Sequence, residues 1–451
     1  MITILGAGLA GLSCSFHLGH SNCVIFERNS YSGGHIYSHE RNGFIWDEGP
    51  HVSFTKREYV QSLFEESVRG EYNEFPVKVG NYYQGQWIPH PAQCNLWALP
   101  EPLRTDCLGD FLQTRQTSTD TAPPSNYGEW LSRAFGETFT EHFPAVYTRK
   151  YWTREPCDLA VDWVGERVFY PDVQTVVRGY RQQPTSETHY IKTIRYPTSG
   201  GFTRFADRLR SGANIRFSTE VVGIDLRNKE LTFANGQRHC YSRLINTLPL
   251  PEFIAMTRDV PADIRAAAGQ LCCSSLLLVN ITARQSAVHP FHWIYVYDHD
   301  KLATRISYMD RLAPNNAPIG MSGLQVEVYG SRYRPFAGSP ADVMAAVVRE
   351  VKEMGLIEDY LDVHVKEIPY ANVIFDLERG DAQSCILDWL ARFGLERETD
   401  DMLPMIDWTE GIAPTSGSLC LAGRFAQWKY FWTDDCVLRG QYLARSIADA
   451  A

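Results

Sequence analysis

No two of the eleven cysteines are spaced C-x-x-C, which removes the common zinc-ribbon and thioredoxin-type patterns. Cys272 and Cys273 are adjacent, a spacing that suits neither a zinc site nor a relaxed disulfide. Reduced thiols in a cytoplasmic protein are therefore expected. No apolar run approaches the roughly 18 residues that a spanning helix needs. The first residues read as a core strand and not as a leader, so no membrane partner is expected. The net charge of −10 disfavours nonspecific nucleic-acid binding. Any anion site must then be a local concentration of Arg and Lys. There is no Ser-His-Asp spacing, no metal cluster, no internal repeat and no low-complexity tract.

What is present begins at residue 1. Ile2-Thr3-Ile4-Leu5 reads as a buried strand, Gly6-Ala7-Gly8-Leu9-Ala10-Gly11 follows, and Leu12 to Leu18 reads as a helix. Strand, G-x-G-x-x-G and helix stand in the order that dinucleotide binding requires. Gly6 permits the tight turn, Gly8 lets the backbone approach a pyrophosphate, and Gly11 lets helix and strand pack closely. The phosphates would rest on the helix N-terminus beside Ala10. A second strand, Cys23 to Phe26, ends in Glu27, placed to accept from ribose hydroxyls. Arg28, Gly33, Gly34 and His35 follow. This Arg-x4-Gly-Gly extension resembles the one that marks FAD-binding Rossmann domains.

At 451 residues the chain has room for two or three domains. Residues 57–68 read as a helix, Asn81 to Ile88 as a hairpin turning at Gln84-Gly85, 113–126 as an exposed polar loop, and 127–163 as helical and rich in aromatics. Asn235-Gly236 signals a second hairpin. Successive strands are expected at 275–281, 291–297, 304–308 and 323–329, a helix at 341–354, and a final strand and helix at 419–423 and 437–448. The expected fold class is α/β: a Rossmann-type FAD-binding domain (1–80, 190–260 and 405–451) carrying a mostly helical insertion (81–189) and an antiparallel-sheet insertion (261–404). A cleft between such bodies is where ligands bind.

Arg offers a planar fork for phosphate oxygens and Tyr a donor on a rigid apolar body. Arg167, Arg305, Tyr295 and Tyr430 are candidates for contacts to a phosphorylated ligand, with a surface or interdomain salt bridge as the alternative for each Arg and core packing for each Tyr. Gln93 and Asn95 are candidates for a base, with a turn role as the alternative.

Four ordered stretches resemble the UDP-galactopyranose mutases, flavoenzymes that interconvert the pyranose and furanose forms of a nucleotide sugar. They are Gly49-Pro50-His51-Val52, Tyr147-Thr148-Arg149-Lys150-Tyr151-Trp152, Trp163-Val164-Gly165-Glu166-Arg167-Val168 and Gly423-Arg424-Phe425-Ala426-Gln427-Trp428-Lys429-Tyr430. The resemblance implies that His51 sits against the flavin ring and that Arg167 and Arg305 clamp the diphosphate, with Tyr295 beside Arg305 on an adjacent strand. It implies that Tyr147, Lys150, Trp152 and Trp163 line the substrate side. Val222 would meet the adenine through its backbone, and Gly423, Arg424 and Asp435 would close on FAD. The implied reaction runs through reduced FAD, whose N5 attacks the anomeric carbon and expels the diphosphate, with no net redox and with NAD(P)H as reductant. The partner implied is a nucleoside-diphosphate sugar; a homo-oligomer is left open.

The pattern is broken at Asn372 and Val373, where the family has Tyr and Pro, at Phe431 to Asp435, and at Pro50, where it has Gly. Except for Pro50, these departures fall at the substrate end and leave the sugar open. The alternative function is an FAD-dependent oxidoreductase of the amine-oxidase, desaturase or protoporphyrinogen-oxidase kind acting on a small molecule.

Overall fold

A computed structural model describes residues 1–117, 122–165, 168–184, 191–285, 289–406, 408 and 413–450. Arg167 lies outside the described residues.

The N-terminal strand Ile2–Leu5 is the centre of a five-stranded parallel sheet, not an edge. It pairs with Cys23–Phe26 on one side and Arg243–Asn246 on the other; Ile215–Arg216 and Leu419–Leu421 complete the order. Both faces of this sheet are covered, which is why Ile4, Leu5, Ile25, Leu244 and Ile245 are all inaccessible to solvent. One cover is made from the two ends of the sequence. Helix Leu9–Leu18 packs on helix Thr433–Ala448, and Ser13 donates to the carbonyl of Val437 at 2.7 Å. The approach depends on Gly440: a Cβ there would stand 2.3 Å from Ser13 Oγ and 2.6 Å from the Cys14 amide nitrogen. The last helix begins at Thr433, four residues before the expected start, because Asp435 caps it.

The second body is a seven-stranded sheet, ordered Asp362–Val373, Cys273–Arg284, Met321–Gly330, Arg305–Tyr308, Trp293–Val296, Val79–Tyr83 and Gln86–Pro89. All pairings are antiparallel except that of Trp293–Val296 with Val79–Tyr83. The expected hairpin at Gln84-Gly85 is there, both turn residues having positive φ. It belongs to this sheet, however, and not to the helical segment assigned from residue 81. Register sets one row of side chains: Tyr295 lies opposite Arg305, and Arg305 opposite Glu327. Helix Pro340–Glu353 packs Val343, Val347 and Val351 against the other face. The strand Asp362–Val373 is not expected from the sequence: Val363 and Val365 alternate with polar residues and pack on the core, but the alternation breaks at Glu367-Ile368-Pro369, near an irregularity in its pairing with Cys273–Arg284.

The helical body comprises Leu103–Thr117, Tyr127–Phe135, Glu137–His142, Pro144–Tyr151 and Val173–Arg181. Residues 113–117, expected in a loop, continue the first of these helices. Cys107 and Phe111 are buried one turn apart, and Leu108 and Leu112 pack beside them, so the apolar stripe carries the helix through polar composition.

Asp47 ties the bodies together. Its carboxylate is fully buried and accepts from Ser38 Oγ (2.6 Å), the Tyr196 hydroxyl (2.8 Å) and the Phe202 amide (3.1 Å). Its backbone carbonyl accepts from Gln325 in the large sheet. Burial raises this carboxyl to about 6, against the lowering effect of its donors. Among the described residues no helix is long and apolar enough to cross a membrane.

Candidate active site

A cavity of about 870 Å³ runs from the glycine turn of the parallel sheet to the large sheet and the helical body. Its floor is backbone. Gly33 pairs with Gly8 and donates to the carbonyl of Ala7 at 2.8 Å. A Cβ on Gly11 would stand 2.1 Å from the Gly6 oxygen, and one on Gly34 3.1 Å from Gly8 Cα. Gly33 and Gly34 both have positive φ. The first turn of helix Leu9–Leu18 has no side-chain cap and no acidic residue, so its N–H groups stay open to an anion. Glu27 accepts from the Ala7 amide (2.8 Å) and the Asn29 amide (2.9 Å). These residues fit the diphosphate and ribose of a dinucleotide, with Arg28, Thr219, Glu220 and Val221 continuing the lining on the Glu27 side. Of the neighbours Val221 and Val222, Val221 lines the cavity and Val222 is 49% exposed.

The opposite wall is a continuous chain of aromatic and polar contacts. Tyr147 meets Tyr295 edge-on at 5.3 Å. Arg305 forms a two-pronged pair with Glu327, Nε and Nη2 each donating at 2.7 Å. Tyr329 donates to the same carboxylate at 3.1 Å and packs on Tyr151 at 4.8 Å. Tyr151 donates to Asn372 Oδ1 at 2.9 Å, and Arg424 Nη2 donates to that oxygen at 2.7 Å. The Arg424 guanidinium then lies 5.3 Å from the Tyr430 ring, which packs on Trp152 and Trp163. Burial pushes the Tyr147, Tyr151, Tyr295 and Tyr329 phenols up. They are hydrogen donors at neutral pH and not bases. Burial alone would lower Arg305, but Glu327 holds it well above its ordinary value.

Between cradle and wall stand two histidines. His51 donates from Nδ1 to the Gly49 carbonyl at 2.8 Å. His35 lies edge-on to Phe425 at 5.3 Å. Burial lowers His51 to about 4, with Arg305 and Arg424 adding to the effect against the Gly49 hydrogen bond. It lowers His35 to about 3, with His51 and Arg424 adding.

Most of the residues singled out from the sequence therefore meet here: Gly6, Gly8, Ala10, Glu27, Arg28, Gly33, Gly34, His35, His51, Gln93, Tyr147, Trp152, Trp163, Tyr295, Arg305, Asn372, Gly423, Arg424 and Tyr430 all line the cavity. Three do not. The Lys150 ammonium donates to the carbonyls of Val296 and Ala303 and, lowered to about 7 by burial, fastens a helix to two strand ends. Asn95 is spent on a turn, donating to the Pro91 carbonyl and accepting from Trp97. Asp435 accepts from the Trp432 amide and Trp408 Nε1, which makes it a helix cap, and it is not among the residues lining the cavity. The sequence reading missed Glu327, Tyr329 and Tyr151; only the strand register brings the first two to Arg305.

Among curated proteins, protoporphyrinogen oxidase 2 (chloroplastic/mitochondrial) of Arabidopsis thaliana is 23% identical over 191 residues, which are 40% of this chain and 37% of that protein. The mitochondrial protoporphyrinogen oxidase of Nicotiana tabacum is 30% identical over 84 residues, 18% and 17% of the two chains. The chain thus spans well under half the length of the curated relatives it matches. Among solved structures, a reduced UDP-galactopyranose mutase superposes with a TM-score of 0.88 at 24% identity, over all of this chain and 94% of that one. A putrescine oxidase bound to putrescine superposes with a TM-score of 0.61 at 13% identity, over 99% and 98%. The fold is the FAD-binding fold these structures share. The model of the flavin-containing amine oxidoreductases matches residues 9–447, and the chain belongs to that family.

Proposed function

We propose that the protein is a flavin-dependent mutase interconverting the pyranose and furanose forms of a nucleoside-diphosphate sugar of the UDP-galactose kind. The observation that supports this most is the wall from Tyr147 to Tyr430. It presents fixed guanidinium groups and neutral phenols to the cavity, and it carries no acid–base pair poised for direct chemistry on a substrate.

FAD, when bound and reduced, supplies nucleophilic catalysis at the anomeric carbon without net change of oxidation state. The chain's own residues do the rest. Glu327 and Tyr329 hold the Arg305 fork in one orientation toward the cavity. Arg305 and, by resemblance, Arg167 stabilise charge on the departing diphosphate. Tyr147, Tyr295 and Tyr430 keep that group close to the sugar, so that its return is effectively intramolecular. Gln93, whose amide donates to the Phe169 carbonyl, keeps its own carbonyl available for a base. NAD(P)H as reductant and a cytoplasmic setting belong to the same reading.

The test is turnover of a panel of nucleoside-diphosphate sugars by dithionite-reduced protein without oxygen, followed by chromatography of the pyranose and furanose isomers. No isomerisation of any member would overturn the mutase reading. The similarity to two plant protoporphyrinogen oxidases favours a second reading, an oxidase. It requires oxidised FAD and oxygen consumption, which an oxygen electrode measures on the same preparation.

A further inference from the structure

Three tryptophans stand in series between the cavity and solvent. Trp152 and Trp163 line the cavity, lie 5.1 Å apart between ring centres and both pack on Tyr430. Trp163 meets Tyr127 at 4.9 Å, and Tyr127 stacks on Trp130 at 5.9 Å. Trp130 then meets Tyr170 edge-on at 5.9 Å. Trp152, Trp163 and Tyr127 are buried, whereas Tyr170 is 50% exposed. Side branches through Tyr151 and Tyr147 reach Tyr329 and Tyr297, which are both buried. The series is therefore the branch that comes out at the surface.

Every ring in it is an indole or a phenol. Both give up an electron far more readily than the benzene ring of phenylalanine, and Phe135 and Phe375 pack beside the series without interrupting it. Electronic coupling falls exponentially with the gap between two groups. Rings in contact can therefore pass an electron in short steps where one long step would fail. The chemistry also differs from one end to the other. Trp163 Nε1 is buried with no acceptor among the described residues, so an electron-deficient indole there cannot settle by shedding its proton. Burial pushes the Tyr127 phenol up, so Tyr127 keeps its proton and bridges the flanking indoles. Tyr170 is half-exposed, with water to take its proton. The Arg115 guanidinium, 4.1 Å from the Tyr170 ring centre, disfavours a ring cation and favours the neutral radical that remains once the proton has left.

We propose that Trp152, Trp163, Trp130 and Tyr170, bridged by Tyr127, form an electron relay that reduces the bound cofactor under light. Blue light makes an oxidised flavin a strong one-electron oxidant. The inner indoles lose one electron to it, and the deficit moves outward from Trp163 to Trp130 to Tyr170. Tyr170 supplies the electron and releases its phenolic proton to water. A thiol in solution then returns a hydrogen atom to the Tyr170 radical and is itself oxidised by one electron. Each round thus carries one electron from the thiol to the cofactor and leaves one proton in water; two rounds supply both electrons. The relay residues return to their starting state and exchange no atom with a substrate. The inference rests on FAD binding and not on the sugar reading.

The experiment uses oxidised holoprotein without substrate, with a dithiol as the reductant in solution. Blue flashes are followed by transient absorption, and samples frozen under illumination by electron paramagnetic resonance. Wild type should give a long-lived tyrosyl radical and, under steady light, a reduced flavin. Trp130→Phe should lose the tyrosyl signal and slow photoreduction severalfold. Tyr170→Phe should also lose that signal and leave a short-lived indole radical in its place. Trp389→Phe changes a buried ring that packs on Phe393 and on no member of the series, and it should behave as wild type. A tyrosyl signal of wild-type size in either relay variant, none in wild type, or equal slowing by Trp389→Phe would overturn the proposal. If Trp130→Phe loses its flavin, Tyr170→Phe, a change at a half-exposed position, decides alone. Failure of nucleotide-sugar turnover leaves this outcome untouched, because no sugar is present.

Discussion

Arg424 Nη2 lies 2.7 Å from Asn372 Oδ1, and the same oxygen takes the Tyr151 hydroxyl at 2.9 Å. A guanidinium cannot accept, so the atom facing it must be the amide oxygen. The side-chain orientation of Asn372 is therefore fixed by chemistry. Asn372→Ala would release both donors and let Arg424 swing. Hydrogen bonds to charged groups contribute about 1.5–3 kcal/mol. UDP affinity of the reduced holoprotein should fall roughly ten- to a hundredfold, while the flavin-to-protein ratio stays unchanged. Flavin fluorescence titration measures the first and absorbance the second.

Arg305 and Glu327 separate binding from stability. Glu327 is 1% exposed, so Arg305→Ala strands a buried carboxylate at a cost of about 3 kcal/mol. Arg305→Ala/Glu327→Ala removes both charges and should recover part of that loss. Neither variant should bind UDP strongly. Urea unfolding and UDP titration of both proteins, with wild type alongside, check the two halves. A double variant no more stable than the single would contradict the buried-charge account.

Asp47 should impose a pH dependence of its own. Its folded value, about 6, lies above the ordinary carboxylate value, so the folded state binds the proton more tightly than the unfolded chain. Its contribution is then most favourable below about pH 4 and is lost as pH rises through about 6. A shift of about two units corresponds to roughly 3 kcal/mol. Asp47→Asn removes this term. The stability of the variant relative to wild type should increase from pH 4 to pH 7, as read by urea unfolding at each pH. The buried His35 and His51 slope the other way, since lowered imidazoles lose stability as pH falls below about 6.5. They do so in both proteins and cancel in the difference.

Two glycines should fail differently. At Gly11 an added Cβ meets the Gly6 carbonyl at 2.1 Å, inside the cradle. Gly11→Ala should lower the flavin content of whatever folds. At Gly440 the clash is with Ser13 and Cys14, away from the cavity. Gly440→Ala should cost about 1–3 kcal/mol and lower the melting temperature while folded protein keeps its flavin.

The cradle was legible because its determinants are local. Gly6, Gly8, Gly11, Glu27, Gly33 and Gly34 lie within one short stretch of strand, helix, strand and turn, and Gly8, Gly11 and Gly34 answer contacts which that stretch makes with itself. The wall was legible only in part. Tyr295 and Arg305 were expected on adjacent strands and are opposite one another. Glu327 gave no local signal: in Gln325-Val326-Glu327-Val328 every position is buried, so alternation marks no inward charge, and its partner lies across a strand pair. Lys150, Asn95 and Asp435 show the converse error. Each sits inside a stretch that carries other site residues, but periodicity turns its side chain toward backbone, where it satisfies carbonyls or a helix end.

The helix Thr433–Ala448 seated on Leu9–Leu18 has a consequence for biosynthesis. Ile2–Leu18 is made hundreds of residues before Leu419–Leu421 and Thr433–Ala448, so the nucleotide fold lacks a sheet strand and one covering layer until those two elements leave the ribosome. Throughout translation the glycine turn must wait, half roofed, for a helix hundreds of residues away. Nascent chains arrested before Leu419 should therefore be protease-sensitive at their N-termini and unable to retain flavin.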